Sequence, residues 1–164
     1  MYVIQTKAGC ELSAGELLRR KGFNVKIPEK LMYIRRGGLW KLERHLIFTR
    51  YIFLDIDDVK PESYYRIKNS DGVINFIGCG NPQSMYECEI GYINWLWNNG
   101  KPIEPSTVFV TSDGNKMIMS GPLKKYSDEY VDYNVRQRRA KVKIPICGVY
   151  KNVTLPIEII KKTL

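Results

Sequence analysis

The sequence predicts an α+β protein, in which helices cover a mainly antiparallel sheet and a small β-barrel follows at the C-terminus. Three observations support this class. Helix-like and strand-like runs alternate through roughly the first hundred residues. Gly, Pro and Asn cluster between residues 98 and 106. Beyond that cluster only short β-prone runs remain. With 164 residues, 44% of them hydrophobic, the chain has room for one ordinary domain and a small second one.

The opening residues predict a strand followed by a helix. Four of residues 2–6 are β-branched or aromatic, which is typical of a strand. Residues 11–22 predict a helix that ends in cations and a glycine. Residues 23–27 are expected to be extended. The leucines of the helix are expected near one face: Leu12, Leu17 and Leu18.

A basic hairpin and a buried strand are predicted next. Two extended runs, 31–35 and 39–43, flank Arg36-Gly37-Gly38 and predict a β-hairpin with a basic tip. The run 46–56 is the most β-prone of the chain and predicts a central strand.

The remaining N-terminal elements are two helices and a strand. Pro61 begins a helix that runs to about residue 68, and residues 73–78 predict a strand. Pro82-Gln83-Ser84 suits the start of a third helix, which continues to residue 97 with a broad apolar surface.

The composition places a domain boundary near residue 100. We predict an N-terminal domain over residues 1–99, a linker over 100–106 and a C-terminal domain over 107–164. The C-terminal domain has five short predicted strands, and such a small barrel has only a marginal core. These strands are 107–110, 116–119, 129–135, 140–146 and 149–155.

The net charge of +9 favours a polyanionic partner, either nucleic acid or an anionic membrane. Residues 1–105 hold 15 Lys and Arg against 12 Asp and Glu, a balance of +3. Residues 106–164 hold 11 against 5, a balance of +6. The smaller domain is therefore the more cationic one. A surface charged only for solubility is the alternative.

The cysteines and carboxylates point to no metal, cofactor or catalytic site. The four cysteines are far apart and the chain has a single histidine, so a zinc site is not expected. Asp55, Asp57 and Asp58 form the one carboxylate cluster, which we interpret as a solvated strand end rather than a magnesium site. We therefore predict a protein that is not an enzyme. With no signal peptide and no long apolar run, a cytoplasmic protein without a membrane span is expected.

Four motifs in order resemble one family. They are 2-YVIQTKAGCE-11, 43-ERHLIFTRYIFL-54, 60-KPESYYRIKNSDGVINFIG-78 and the turn Gly121-Pro122-Leu123. Together they resemble the NusG family of transcription elongation factors, which has an N-terminal NGN domain, a linker and a C-terminal KOW β-barrel. The segment 134-NVRQRRAKVKI-144 is most similar to the specialised paralogue LoaP. LoaP-type proteins are processive antiterminators whose KOW domain recognises a structured RNA in the nascent leader.

The chain departs from the family pattern at three places. Thr49-Arg50 stands where Pro-Gly is usual, and Lys125 stands where a glycine often follows the KOW turn. The segment 126–135 is also atypical. This third departure is expected to affect the partner of the KOW domain rather than its fold.

The resemblance implies that an apolar patch on the NGN domain docks on the clamp helices of RNA polymerase. Phe48, Tyr51 and Phe53 match the motif positions involved. Because strand side chains alternate, Tyr51 and Phe53 should share one exposed face while Ile52 and Leu54 face the helix-covered core. The alternative is that Tyr51 and Phe53 are themselves core residues.

Two further nucleic-acid contacts are implied. Arg35 and Arg36 at the hairpin tip are expected to contact upstream or non-template DNA, with a solvated turn as the alternative. The KOW domain is expected to bind a structured RNA hairpin through its cations, with tyrosines available to stack on unpaired bases. The expected RNA-binding residues are Lys124, Lys125, Arg136, Arg138, Arg139, Lys141, Lys143 and Lys151. The candidate stacking residues are Tyr126, Tyr130 and Tyr133.

The sequence thus favours a monomeric antitermination factor that holds polymerase with one domain and leader RNA with the other. The alternative is a general elongation or termination factor whose KOW domain binds a protein and presents an apolar patch. A nucleic-acid-processing enzyme is the weakest hypothesis, because the sequence places no base beside a nucleophile.

Overall fold

The computed structural model describes residues 1–78, 80–126 and 130–161. Cys79 and residue Glu129 of the predicted strand 129–135 lie outside this part. The helices are α1 (Glu11–Arg20), α2 (Pro61–Lys68) and α3 (Glu87–Trp97). The strands are β1 (Tyr2–Thr6), β2 (Val25–Lys26), β3 (Glu29–Arg36), β4 (Leu39–Leu46), β5 (Tyr51–Leu54), β6 (Val73–Phe76), β7 (Ser106–Val110), β8 (Lys116–Ser120), β9 (Asp132–Asn134), β10 (Arg139–Ile146) and β11 (Val149–Lys161).

The N-terminal sheet is antiparallel throughout, with strand order β2-β5-β1-β6. β5 is central, as predicted, but it is shorter than the run 46–56. The chain turns before Tyr51, where Arg50 adopts a φ of 67°. Ile52 and Leu54 pack in a core with residues of α1 and α2. In α1 the buried face is formed by Ala14 and Leu18, whereas Leu12 is exposed, because 100° steps carry Leu12 away from Leu18.

The predicted hairpin is confirmed and forms its own two-stranded sheet. β3 and β4 pair from Glu29↔Leu46 to Arg36↔Leu39. Gly37 and Gly38 at the tip have φ values of 56° and 83°, which the tight two-residue turn of a hairpin requires. The hairpin therefore extends as a ribbon that belongs to neither of the larger sheets.

Ser84 and Met85 are extended, so α3 begins later than the predicted start at Pro82. Met85 N–H donates to Met1 C=O at 2.9 Å, and Ser84 bridges Tyr2. Pairing with the start of β1 thus takes the backbone groups that a helix would have used. The helix begins after Tyr86, and Glu89 caps it by accepting a hydrogen bond from Tyr86 N–H at 3.0 Å.

The C-terminal sheet has the strand order β8-β7-β11-β10-β9. Along β10 the buried residues Ala140, Val142 and Ile144 alternate with exposed Lys141 and Lys143, as the period of a strand predicts. β11 is longer than the predicted strand 149–155. It pairs with β10 up to Pro156 and then with β7 from Ile157. Proline therefore falls where the strand changes partners rather than where it ends.

One buried cluster joins the two parts of the chain. Val3, Phe53, Ile93 and Leu96 from the N-terminal part belong to the same apolar cluster as Ile144 and other residues of the C-terminal sheet. The Glu89 carboxylate, 2% exposed, also accepts hydrogen bonds from Cys147 N–H at 3.1 Å and Gly148 N–H at 2.8 Å. We call this arrangement the Glu89 latch. It binds the β10–β11 turn to the first turn of α3.

The segment 100–106, predicted as a linker, is hydrogen bonded to the hairpin. Leu31 N–H donates to Ile103 C=O at 2.9 Å, and Ile103 N–H donates to Glu29 C=O at 2.8 Å. The Ile103 side chain is buried. The segment therefore runs along β3 in this arrangement.

The Gly-Pro turn is shaped by the close approach of Gly121 to the start of β7. Gly121 has a φ of 95°, and a Cβ there would lie 2.6 Å from Ser106 Cα. Ser106 Oγ accepts a hydrogen bond from Leu123 N–H at 3.0 Å, which fixes the turn after Pro122. Lys124 and Lys125 follow directly, so the turn presents both cations at the surface.

Gly121→Ala is expected to destabilise the chain by about 2–4 kcal/mol, through positive φ and steric overlap with Ser106. Gly114→Ala is the matched control, since Gly114 has a φ of 83° but nothing within 4 Å of the added Cβ. Its cost should be only about 1 kcal/mol. Urea unfolding followed by circular dichroism measures both, and equal losses would contradict the steric account.

Glu89→Ala should lower the free energy of unfolding by about 2–4 kcal/mol, because it removes a buried carboxylate and leaves three partly buried N–H donors without a charged acceptor. Glu87→Ala is the control, since Glu87 lies exposed in the same helical turn. Its effect should stay within about 0.5 kcal/mol. A Glu89→Ala protein as stable as the control would show that the latch contributes nothing.

Candidate nucleic-acid and polymerase interfaces

The expected polymerase-binding residues lie together, on a covered face. Tyr51 and Phe53 point away from α1 and α2, as strand alternation predicted. However, Phe48 and Phe53 are 5% and 0% exposed, and their rings meet at 5.2 Å. The expectation of an exposed patch is therefore wrong for this arrangement. The second face of the sheet is also apolar, and α3 and the C-terminal sheet bury it.

The two arginines at the hairpin tip are both exposed but have different neighbours. Arg36 forms an ion pair with Glu43, with Nε 3.0 Å from the carboxylate. Arg35 lies 6.0 Å from the ring of Trp40. The tip thus presents cations to solvent, as its sequence predicted, and the ring of Trp40 lies beside them.

The eight expected RNA-binding residues separate into three groups. Lys124, Lys125, Lys141 and Lys143 are exposed. Arg136 and Arg139 line a recess of about 470 Å³ that Lys141 also borders. The third group, Arg138 and Lys151, is half-buried and faces the N-terminal part of the chain. The sequence had grouped all eight as RNA-binding residues of the C-terminal domain.

The third group stacks on aromatic rings of the N-terminal part. The Arg138 guanidinium lies 4.9 Å from the Tyr33 ring and 5.0 Å from the Trp40 ring, so it contacts two aromatic residues of the hairpin. Lys151 Nζ lies 5.4 Å from the Tyr51 ring. Such cation–π contacts stabilise by about 0.5–2 kcal/mol each. Both cations therefore contribute to the packing of the two parts.

A groove runs between α3 and the C-terminal sheet, with a volume of about 1410 Å³. We call it the α3 groove. The exposed lysines of β10 line it, and so do aromatic residues from both parts of the chain. Sequence analysis missed the contribution of α3, whose rings were interpreted as part of a broad apolar surface. The residues that define the groove are Gly91, Tyr92, Trp95, Lys125, Tyr126, Tyr130, Lys141, Lys143 and Tyr150.

Lys30 is a buried cation where β3 meets the C-terminal sheet. It is 8% exposed, and its Nζ donates to the carbonyl of Thr154. Burial, reinforced by the nearby charge of Arg139, lowers the pKa of Lys30 to about 8. A protonated Lys30 therefore weakens the packing of the two parts near neutral pH.

The carboxylates and thiols of the described residues form an ion pair and free thiols. Asp55 forms an ion pair with Lys26 at 2.6 Å. Across residues 1–78, 80–126 and 130–161, no three His, Cys, Asp or Glu side chains are placed to hold a metal ion. Cys10, Cys88 and Cys147 are free thiols. Burial, and secondarily Glu89, raises the pKa of Cys147 to about 11. No helix within the described ranges is long and apolar enough to cross a membrane.

Lys30 should make stability rise with pH. Its proton is held less tightly in the folded chain, with a pKa of about 8 against 10.5. The unfolded chain therefore binds more protons between these values, and stability increases across this window by at most about 3 kcal/mol. Cys147, whose pKa is raised, acts in the opposite direction above pH 9.

The test compares the pH dependence of wild type with that of Lys30→Met, so that Cys147 cancels. The free energy of unfolding, measured in urea at pH 7 and pH 10, should rise more with pH in wild type than in the variant. A difference between the two proteins that does not change with pH would contradict the assignment.

The sequence is similar to known proteins over most of its length. A family model described as transcription termination factor NusG matches residues 1–94. The chain is 24% identical to the transcription termination/antitermination protein NusG of Helicobacter pylori strain J99, over 97% of this chain and 93% of that protein. It is 26% identical to the protein of the same description from Thermus thermophilus, over 90% and 89% of the two chains. Because the family model covers more than half of its length, the chain belongs to the NusG family.

Proposed function

We propose that this protein is a transcription antitermination factor of the LoaP type. In this proposal residues 1–99 are an NGN domain that binds the clamp helices of RNA polymerase, and residues 107–164 are a KOW β-barrel that binds a structured leader RNA. Residues 100–106 connect them. The factor acts as a monomer in the cytoplasm and requires no cofactor. Membership of the NusG family and the likeness to termination/antitermination proteins support this reading.

The observation that carries the RNA proposal is the exposed cationic face of the C-terminal sheet. Lys141 and Lys143 project from β10 and line the α3 groove with Lys125, whereas the inward residues of that strand are buried. Like charges so close together repel each other unless an anion meets them. RNA phosphates supply that anion, and Arg136 adds a planar donor suited to phosphate or guanine.

Polymerase binding requires the two domains to separate. The side chains proposed to meet polymerase, Phe48, Tyr51 and Phe53, are covered by α3 and the C-terminal sheet. We call the form in which the two domains pack together the closed form. It is also held by the Glu89 latch and by the contacts of Arg138 with Tyr33 and Trp40. A partner that binds only the open form sees an affinity reduced by the fraction of chains that are open.

The alternative is a general factor whose KOW domain binds a protein, and one observation favours it. Met117 and Ile160 flank Phe109 in the sheet register and are 51% and 48% exposed, and Met119 is 52% exposed. This apolar strip on β8 and β11 is the kind of surface a protein partner buries. It is separate from the lysine face of β10.

RNA recognition is tested by titrating the full chain with a structured leader hairpin and a scrambled hairpin of equal charge, at several salt concentrations. We expect a preference for the leader hairpin that persists at physiological salt. The double variant Lys141→Gln with Lys143→Gln should bind more weakly and reduce the salt slope by about 1–2. Lys7→Gln with Lys68→Gln removes the same charge elsewhere and should change little. Equal binding of both hairpins would favour the alternative.

Arg138→Ala should strengthen binding to core RNA polymerase by about threefold or more, because it removes contacts that exist only in the closed form. Arg136→Ala is the matched control, since Arg136 is an exposed neighbouring cation. Biolayer interferometry without RNA measures both. Unchanged or weaker polymerase binding by Arg138→Ala would contradict the role of domain opening.

A further inference from the structure

The α3 groove has walls from two different parts of the chain. Gly91, Tyr92 and Trp95 come from α3, and the facing wall comes from the turn after Gly121 and from β10 and β11. The groove therefore exists only while the two parts are packed together. Neither part of the chain forms this site alone.

The aromatic residues of the groove present flat rings at two depths. Tyr126 stacks on Tyr92 with ring centroids 6.2 Å apart, and it meets Trp95 at 5.5 Å. Tyr130 and Tyr150 are 72% and 70% exposed at the rim. Aromatic rings this exposed are suited to stacking against a flat partner that arrives from solvent.

The charge of the groove is positive among the described residues that line it. Lys125, Lys141 and Lys143 face one acidic residue, Asp132, which leaves a balance of +2. Lys125 Nζ lies 5.7 Å from the Trp95 ring, so one cation already sits over the aromatic floor. Lysine is depleted at protein–protein interfaces, which argues against a protein occupant.

Tyr126 adds a buried hydroxyl to the groove. Within the described residues no group hydrogen bonds to its buried hydroxyl. Burial, with a smaller contribution from Tyr92, raises the pKa of Tyr126, so the hydroxyl remains a neutral donor. An unsatisfied buried hydroxyl costs free energy that a polar ligand atom would recover.

We propose that the α3 groove binds a short unpaired nucleic-acid segment, with bases stacked on its tyrosines and phosphates beside its lysines. A duplex hides its base faces, whereas the bases of a loop or single strand are available for stacking. This inference rests on the proposed RNA-binding function and adds that the N-terminal domain supplies one wall of the site. An unpaired strand in the groove stabilises the closed form and therefore opposes polymerase binding.

Gly91 offers a test that leaves the fold intact. It is an exposed residue of α3 on the groove, and an added Cβ would meet nothing within 4 Å. Replacing a helical glycine also favours the helix. Gly91→Glu places a negative charge in the groove, and Gly91→Gln is its neutral control of nearly equal size. Both substitutions lie outside the C-terminal domain.

The probes are fluorescein-labelled oligo(U) and oligo(dT) of about eight nucleotides, a length within the range of single-strand sites. Fluorescence anisotropy measures binding to the full chain at physiological salt. We expect wild type to bind, and Gly91→Glu to bind at least about tenfold more weakly, since like charges brought together are strongly unfavourable. Gly91→Gln should stay within about threefold of wild type, because it adds no charge. Stronger binding of oligo(U) than of oligo(dT) would assign the site to RNA. Equal binding of the two would assign it to single strands of either kind.

A second variant tests the stacking. Tyr150→Ala removes an exposed ring and should weaken binding by about fivefold or more. Tyr65→Ala is the control, since Tyr65 is 62% exposed on α2, which does not line the groove. Quenching of tryptophan fluorescence by oligo(U), and its loss in Trp95→Phe, would support stacking near α3.

Wild-type affinity in Gly91→Glu, or in Tyr150→Ala, would overturn the proposal. So would the absence of oligo(U) and oligo(dT) binding by wild type. If the chain then still prefers the leader hairpin, only this inference fails. If it binds neither unpaired strands nor the hairpin, the proposed RNA-binding function fails as well.

Discussion

The structure depends on burial of the second face of the N-terminal sheet. Ile52 and Leu54 on one face are buried against α1 and α2. Phe53 on the other face is equally apolar. α3 supplies Ile93 and Leu96, and the C-terminal sheet completes the cover. Fully burying each large side chain of this kind stabilises by about 1.5–3 kcal/mol. The hydrophobic term therefore dominates the packing, and the Glu89 latch and the stacked cations set its geometry.

This burial divides the cations of a basic chain between two roles. Arg138 and Lys151 lie on aromatic rings of the N-terminal part, whereas Lys141 and Lys143 remain at the surface. Lys30 is buried at the same junction, and its lowered pKa makes it a cost to the closed form near neutral pH. The closed arrangement is thus stabilised by apolar contacts and opposed by one buried charge.

The same surfaces serve packing and the proposed binding. The face that carries Phe48 and Phe53 is occupied by the C-terminal sheet, so polymerase and that sheet compete for it in the proposed mechanism. The α3 groove has the opposite property, because it is formed only by the closed chain. Ligands of the two sites would therefore act against each other through one equilibrium between closed and open forms.

The sequence by itself determined the elements and their alternation. Hydrophobic period, caps and turn residues located the hairpin, the three helices and the outward lysines of β10, because these depend on neighbours along the chain. It misplaced the start of α3 and the exposure of Phe53. Only the tertiary structure decided these, because Met85 pairs with β1 and Phe53 is covered by residues distant in sequence. Arg138 was likewise indistinguishable from its neighbours until the fold placed it against the rings of Tyr33 and Trp40.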